Sequence, residues 1–261
     1  MATISISNGL KTLFTLLGAL MLALLLYTLI TDGFPFNKEL LTPWMAATLI
    51  DFYINVTILS TWVIYKEANW IRSILWIILL ISLGSIATSA YIVLQFLKLS
   101  SQESSQDPMS YVLLRHPHKY VYKKTTIESG TEPNTKCSVV ATLRILFSVL
   151  GVVMLGTLVY TLVTDGSPFR TELLTPWMQA TLVDFYINVV ALAVWVAYKE
   201  SSWIYAVFWV ILLICFGSIT SCVFVVCQLF KISYQDPAYL ILVHHSDRAE
   251  NKYKGISADA T

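Results

Sequence analysis

The sequence predicts an all-α polytopic membrane protein, with six transmembrane helices arranged as two inverted three-helix repeats. Three observations predict it. First, the composition is apolar: of 261 residues, 56% are hydrophobic and only 13% charged, with mean hydropathy +0.67, where a soluble domain is nearer a quarter charged. Second, apolar runs occupy 13–30, 43–65, 71–97, 145–163, 176–198 and 204–230, each close to or above the ~20 residues that cross a bilayer core as helix. Third, residues 27–67 and 160–200 align at a constant offset with 30 of 41 positions identical.

Each unit reads in order as span, turn, span, tight turn, span and polar tail. The first run is a retained span and not a signal peptide, because its counterpart at 145–163 lies deep inside the chain. Gly33 and Gly166, in the repeated TDG motif, can end the first helix of each unit in a left-handed conformation. Thr42-Pro43 and Thr175-Pro176, inside the repeated LLTPWM, read as N-cap and N1 proline that start the second helix. Lys66-Glu67 and Lys199-Glu200 are too polar for the bilayer core and mark the next turn. Asn69 and Ser202 suit N-caps for the third helix. Trp44, Trp70, Trp177 and Trp203 fall at expected interfaces, where an amphipathic ring is favoured. The third runs, 71–97 and 204–230, are long, which suggests tilt. The QDP motifs at 106–108 and 235–237 look like starts of short amphipathic surface helices. Gln95 and Gln228 stand near span ends, within reach of headgroups.

This pattern divides the chain into a first repeat (1–115), a polar inter-repeat loop (116–140), a second repeat (141–245) and a polar tail (246–261). Three spans per unit would turn the second copy upside down, with a pseudo-two-fold axis in the membrane plane. Lys and Arg counts on the two faces then nearly balance. The cluster Arg115, Lys119, Lys123 and Lys124 among Tyr111, Tyr120 and Tyr122 favours a cytoplasmic central loop, with both termini across the membrane. Whether the membrane is endomembrane or plasma membrane stays open.

The polar residues inside the spans carry the functional expectation. A carboxylate at a helix centre costs roughly 2.5–3.5 kcal/mol on insertion scales. Asp51 and Asp184, in the repeated DFYIN, each lie about 12 Å inside the second helix of their unit. Thr48 and Asn55, Thr181 and Asn188 share their faces one turn away. Counting from the same face along an uninterrupted third helix sets Thr88 level with Asp51 and Ser221 level with Asp184. Ser85 and Ser218 then stand opposite the asparagines, and Gly84 and Gly217 give room for close approach. These residues form either a polar path that binds a proton or cation, or interhelical hydrogen bonds that fix packing. Duplication copies both equally well.

The remaining features exclude more than they assign. Net charge is +1, which gives no field for nucleic acid. Cys137, Cys215, Cys222 and Cys227 lack disulfide or zinc spacing. His116, His118, His244 and His245 read as solvated interfacial residues. No nucleophile elbow, zinc-protease helix, phosphate loop or dinucleotide fingerprint occurs, so no enzyme, metal or cofactor is expected.

On the doubled LLTPWM, DFYIN and YKE, the chain resembles a plant family of multi-pass membrane proteins with no assigned activity, domain of unknown function 1475. The resemblance covers nearly the whole chain, including both QDP segments. It implies a plant source and an integral membrane protein, and it carries no catalytic or binding residues. The leading expectation is a small-solute or ion transporter with Asp51, Asn55, Thr48, Thr88, Asp184, Asn188, Thr181 and Ser221 at its pathway. Its partners are the bilayer and a small solute, proton or cation. The alternative is a non-catalytic scaffold or partner subunit, homo-oligomeric or bound to another protein, whose polar residues are structural.

Overall fold

The computed structural model describes residues 2–34, 41–105, 107–115, 135–232 and 238–242. Every regular element among them is helical: α1 (Ala2–Asp32), α2 (Pro43–Lys66), α3 (Trp70–Leu83), α4 (Ser85–Leu97), α5 (Ser101–Ser105), α6 (Pro108–Leu113), α7 (Thr135–Asp165), α8 (Pro176–Lys199), α9 (Trp203–Phe216) and α10 (Ser218–Phe230). Short 3-10 turns occupy Thr171–Leu173 and Ala238–Ile241. Four helices are long and apolar enough to cross a membrane: α1, α2, α7 and α8.

Local chemistry sets the boundaries of these helices. Gly33 (φ 72°) and Gly166 (φ 76°) close α1 and α7 in the left-handed region. At α2 the Met45 N–H donates to Thr42 Oγ1, and at α8 Met178 N–H donates to Thr175 Oγ1, both at 3.2 Å. Proline at N1 loses no hydrogen bond there. Asn69 Oδ1 caps α3 through Ile71 N–H (3.0 Å), whereas Ser202 makes no side-chain cap on α9. Asp107 caps α6 through Ser110 N–H (3.3 Å), with Pro108 next. The second QDP motif lies outside the described residues.

The third and sixth apolar runs are not single spans. Each is two helices of 14 and 13 residues that meet at one glycine. Gly84 (φ 55°, ψ −128°) and Gly217 (φ 52°, ψ −126°) end one helix and begin the next, and the chain folds back there. Trp76 of α3 packs edge-on against Tyr91 of α4 at 4.9 Å. Gln95, near the end of α4, donates to Glu67 at the start of α3 (3.2 Å). In the other hairpin Trp209 meets Phe224 at 5.1 Å, Thr220 Oγ1 donates to Leu212 O (2.9 Å), and Gln228 donates to Glu200 (3.0 Å). The two glutamines therefore close the hairpins and do not reach for headgroups.

A hairpin returns the chain to the side it left, so the inverted arrangement expected from three spans does not form. The N-terminal ends of α2 and α8 meet in one buried cluster of Trp44, Met45, Trp177 and Met178. These two expected interface tryptophans are thus core, while Trp70 and Trp203 are exposed. The C-terminal ends of α2 and α8 meet around α6: Lys66 Nζ donates to Tyr111 O and Leu114 O, both at 2.6 Å, and Tyr198 Oη donates to Asp107 (2.7 Å). Helices α2 and α8 therefore run parallel. The start of α1 lies at that same end, where Ser7 Oγ and Ser104 Oγ are 3.2 Å apart. We call it the near end; the end of α1, the start of α2 and the connection 166–175 lie at the far end.

The halves interleave. Helix α4 packs against α1 and α8, and α10 packs against α7 and α2. Gly18 and Gly151 admit these contacts. A Cβ on Gly18 would stand 3.1 Å from Ser89 Cβ, and one on Gly151 3.2 Å from Cys222 Cβ.

Candidate functional site

The hairpin tips are where the polar residues converge. A helix start leaves backbone N–H groups without intrahelical acceptors, and they carry the positive end of the helix dipole. Most helices satisfy one of them with the side chain of the residue just before. Here that residue is glycine, which has none, and the other half of the molecule supplies the cap. Asp51 Oδ1, on α2, accepts from Ser218 N–H at the start of α10 (2.7 Å). Asp184 Oδ1, on α8, accepts from Ser85 N–H at the start of α4, also at 2.7 Å. A charge-assisted bond of this length is among the stronger polar contacts a protein makes.

Glycine is required at each tip for two reasons. Its φ and ψ are closed to residues with a Cβ, and a Cβ would also collide with the capping group. On Gly84 it would lie 2.8 Å from Asp184 Cγ. On Gly217 it would lie 2.7 Å from Phe185 Cζ and 2.9 Å from Asp51 Oδ1. Gly-Ser at the tip and Asp on the facing helix thus form one unit, present twice.

The other expected pathway residues do not gather on the aspartates. Thr48 and Thr181 turn back to carbonyls of their own helices, Trp44 O (2.9 Å) and Trp177 O (2.8 Å). Thr88 and Ser221 point back to Gly84 O and Gly217 O, each at 3.4 Å. Among the described residues the expected pairs Thr88–Asp51 and Ser221–Asp184 do not form, because the depth count assumed an unbroken third helix. The fold-back removes that register and brings each aspartate a partner from the opposite half. Asn55 and Asn188, one turn beyond the aspartates, are 0% exposed, and neither amide atom of either residue has a hydrogen-bond partner among the described residues.

Sequence reasoning missed four anchors. Glu67 accepts from Tyr91 Oη (3.1 Å) as well as from Gln95. Lys66 and Lys199 pin near-end segments through carbonyls, the latter through Leu240 O (3.2 Å). Arg144 is buried and donates to Leu229 O and Ile232 O, both at 2.8 Å, at the negative end of α10. That helix is thus held by an anion at its start and a cation at its finish. The signal for the lysines and Glu67 was the repeated YKE beside an apolar run; nothing in the sequence pointed to α10 as Arg144's partner. The histidines and most of the basic central-loop cluster lie outside the described residues.

Over residues 1–249 the chain matches the family described as protein of unknown function DUF1475, and it belongs to that family. No curated protein and no solved structure matches it.

Proposed function

We propose that this family member is a non-catalytic integral membrane protein, a scaffold or partner subunit, whose intramembrane aspartates are structural. In this reading α1, α2, α7 and α8 are its spans, and the two hairpins dip into the bilayer from the near end and return. The carrying observation is reciprocal capping: each carboxylate is already engaged by a helix start of the other half. Such a bond locks the halves together in a medium that offers buried N–H groups no water.

The four-span reading also suggests an orientation. Of the 17 Lys and Arg, only Lys38 and Arg170 belong to the far-end connections. All the others lie near the opposite end or on segments that leave from it. That asymmetry favours a cytoplasmic near end under the positive-inside rule.

The test separates charge from shape. Asp51→Asn and Asp184→Asn keep an acceptor for the serine N–H, so the proteins remain folded in detergent. Asp51→Ala and Asp184→Ala each lose about 1–3 kcal/mol of stability, read as a lower thermal midpoint. Proton or cation flux in proteoliposomes that is lost in the folded Asn variants would overturn the reading.

One observation favours a second reading, a small-solute or ion transporter. The buried amides of Asn55 and Asn188 have no partners among the described residues, which suits groups that bind a solute or water. Asn55→Leu should abolish flux under that reading and leave a scaffold folded.

A further inference from the structure

Between the C-terminal halves of α2 and α8 lies a cavity of about 460 Å³, within the range of small-molecule sites. Both halves build it: Trp62 and Phe14 contribute from the first, Trp195 and Phe147 from the second. No charged side chain lines it among the described residues. Towards the aqueous side it is roofed by Met109 and Leu113 of α6 and by the 238–242 segment. That roof is held down by Lys66 and by Trp62 Nε1, which donates to Leu113 O (3.2 Å).

The cavity is lopsided towards one outer face. Ile64 and Val139 line it and are 56% and 49% exposed. Their counterparts at the repeat offset, Ala197 and Ile6, do not line it. Tyr198, counterpart of the lining residue Tyr65, is instead drawn to Asp107, and Tyr65 stacks on Tyr239 at 6.0 Å. Part of the cavity wall is thus formed by apolar side chains on the outer surface of α2 and α7, which the four-span reading places against lipid.

Walls of this kind do not hold water, and they gain dispersion contacts over their whole surface only from an apolar neighbour. An apolar occupant arriving sideways satisfies both conditions. We propose that the cavity takes an acyl chain of a phospholipid from the leaflet at the near end. The proposal rests on the four-span reading for its route and is independent of the role of the aspartates.

The test uses the full chain in phosphatidylcholine nanodiscs containing a phosphatidylcholine with a diazirine on its acyl chain. After illumination, labelled peptides are mapped by mass spectrometry. Label is expected on Trp62, Phe147 and Trp195, besides the outer-face residues Ile74, Ile78 and Ile211 that any surrounding lipid reaches. Ala191→Phe, which fills the space, should remove the interior label and leave the outer label unchanged; Ala238→Phe gives the same comparison from the roof. The unchanged outer label verifies that each variant is folded in the bilayer. Label confined to the outer face of the wild type, or interior label that survives both substitutions, overturns the proposal. So does interior label that appears only after residues 246–261 are deleted, since the chain's own tail would then be the occupant.

Discussion

At the scale of single residues the molecule turns on two glycine–aspartate pairs. Gly84 and Asp184, and Gly217 and Asp51, solve one problem: a helix that starts in an apolar setting needs an anion at its first N–H groups. Gly84→Ala places a Cβ in backbone space closed to it, costing about 1–3 kcal/mol, and displaces Asp184 as well. We expect Gly84→Ala to lower the thermal midpoint more than Asp184→Asn; equal effects would mean the tip tolerates a side chain. The aspartates were legible in the sequence because a carboxylate in an apolar run must be satisfied somewhere. Their partners were not, because the donors are backbone groups of another segment, and backbone N–H groups look alike in any sequence. Gly84-Ser85 was visible, but it read as room for helix approach when it is the turn itself.

At the scale of elements the hairpins decide the architecture. Runs 71–97 and 204–230 have the length and hydropathy of tilted spans, and periodicity cannot distinguish one 27-residue helix from two that fold back. The distinguishing features are the glycine near the middle and the polar residues that close the base. Glu67 accepts two side-chain donors, Tyr91 and Gln95. At its counterpart Glu200 the tyrosine is replaced by Phe224, which cannot donate, and Gln228 remains. Glu67→Ala should therefore destabilise more than Glu200→Ala, by about 1 kcal/mol for the additional hydrogen bond. Hydrogen exchange across α4 should speed up more in the first variant than exchange across α10 does in the second. The reverse order would show that the hairpin bases are held by something other than these carboxylates. The helices flanking the hairpins were readable in detail, since Thr-Pro starts and Gly stops are local chemistry.

At the scale of the whole molecule the consequence is parity. On the proposed four-span reading, two crossings and a returning hairpin leave each half where it began; α2 and α8 run parallel, with Trp44 and Trp177 together at one end and Lys66 and Tyr198 at the other. An odd count would have inverted the second half, and with it the near balance of basic residues. With the even count nearly all of them fall on one side. The most direct test replaces the native cysteines and introduces single ones by Lys38→Cys, Arg170→Cys, Lys123→Cys and Lys252→Cys. Sealed vesicles are then treated with a membrane-impermeant maleimide. The account predicts that positions 38 and 170 label from one side, and 123 and 252 from the other. Labelling of 123 and 252 from opposite sides would restore an odd number of crossings in the second half and contradict the fold-back at Gly217.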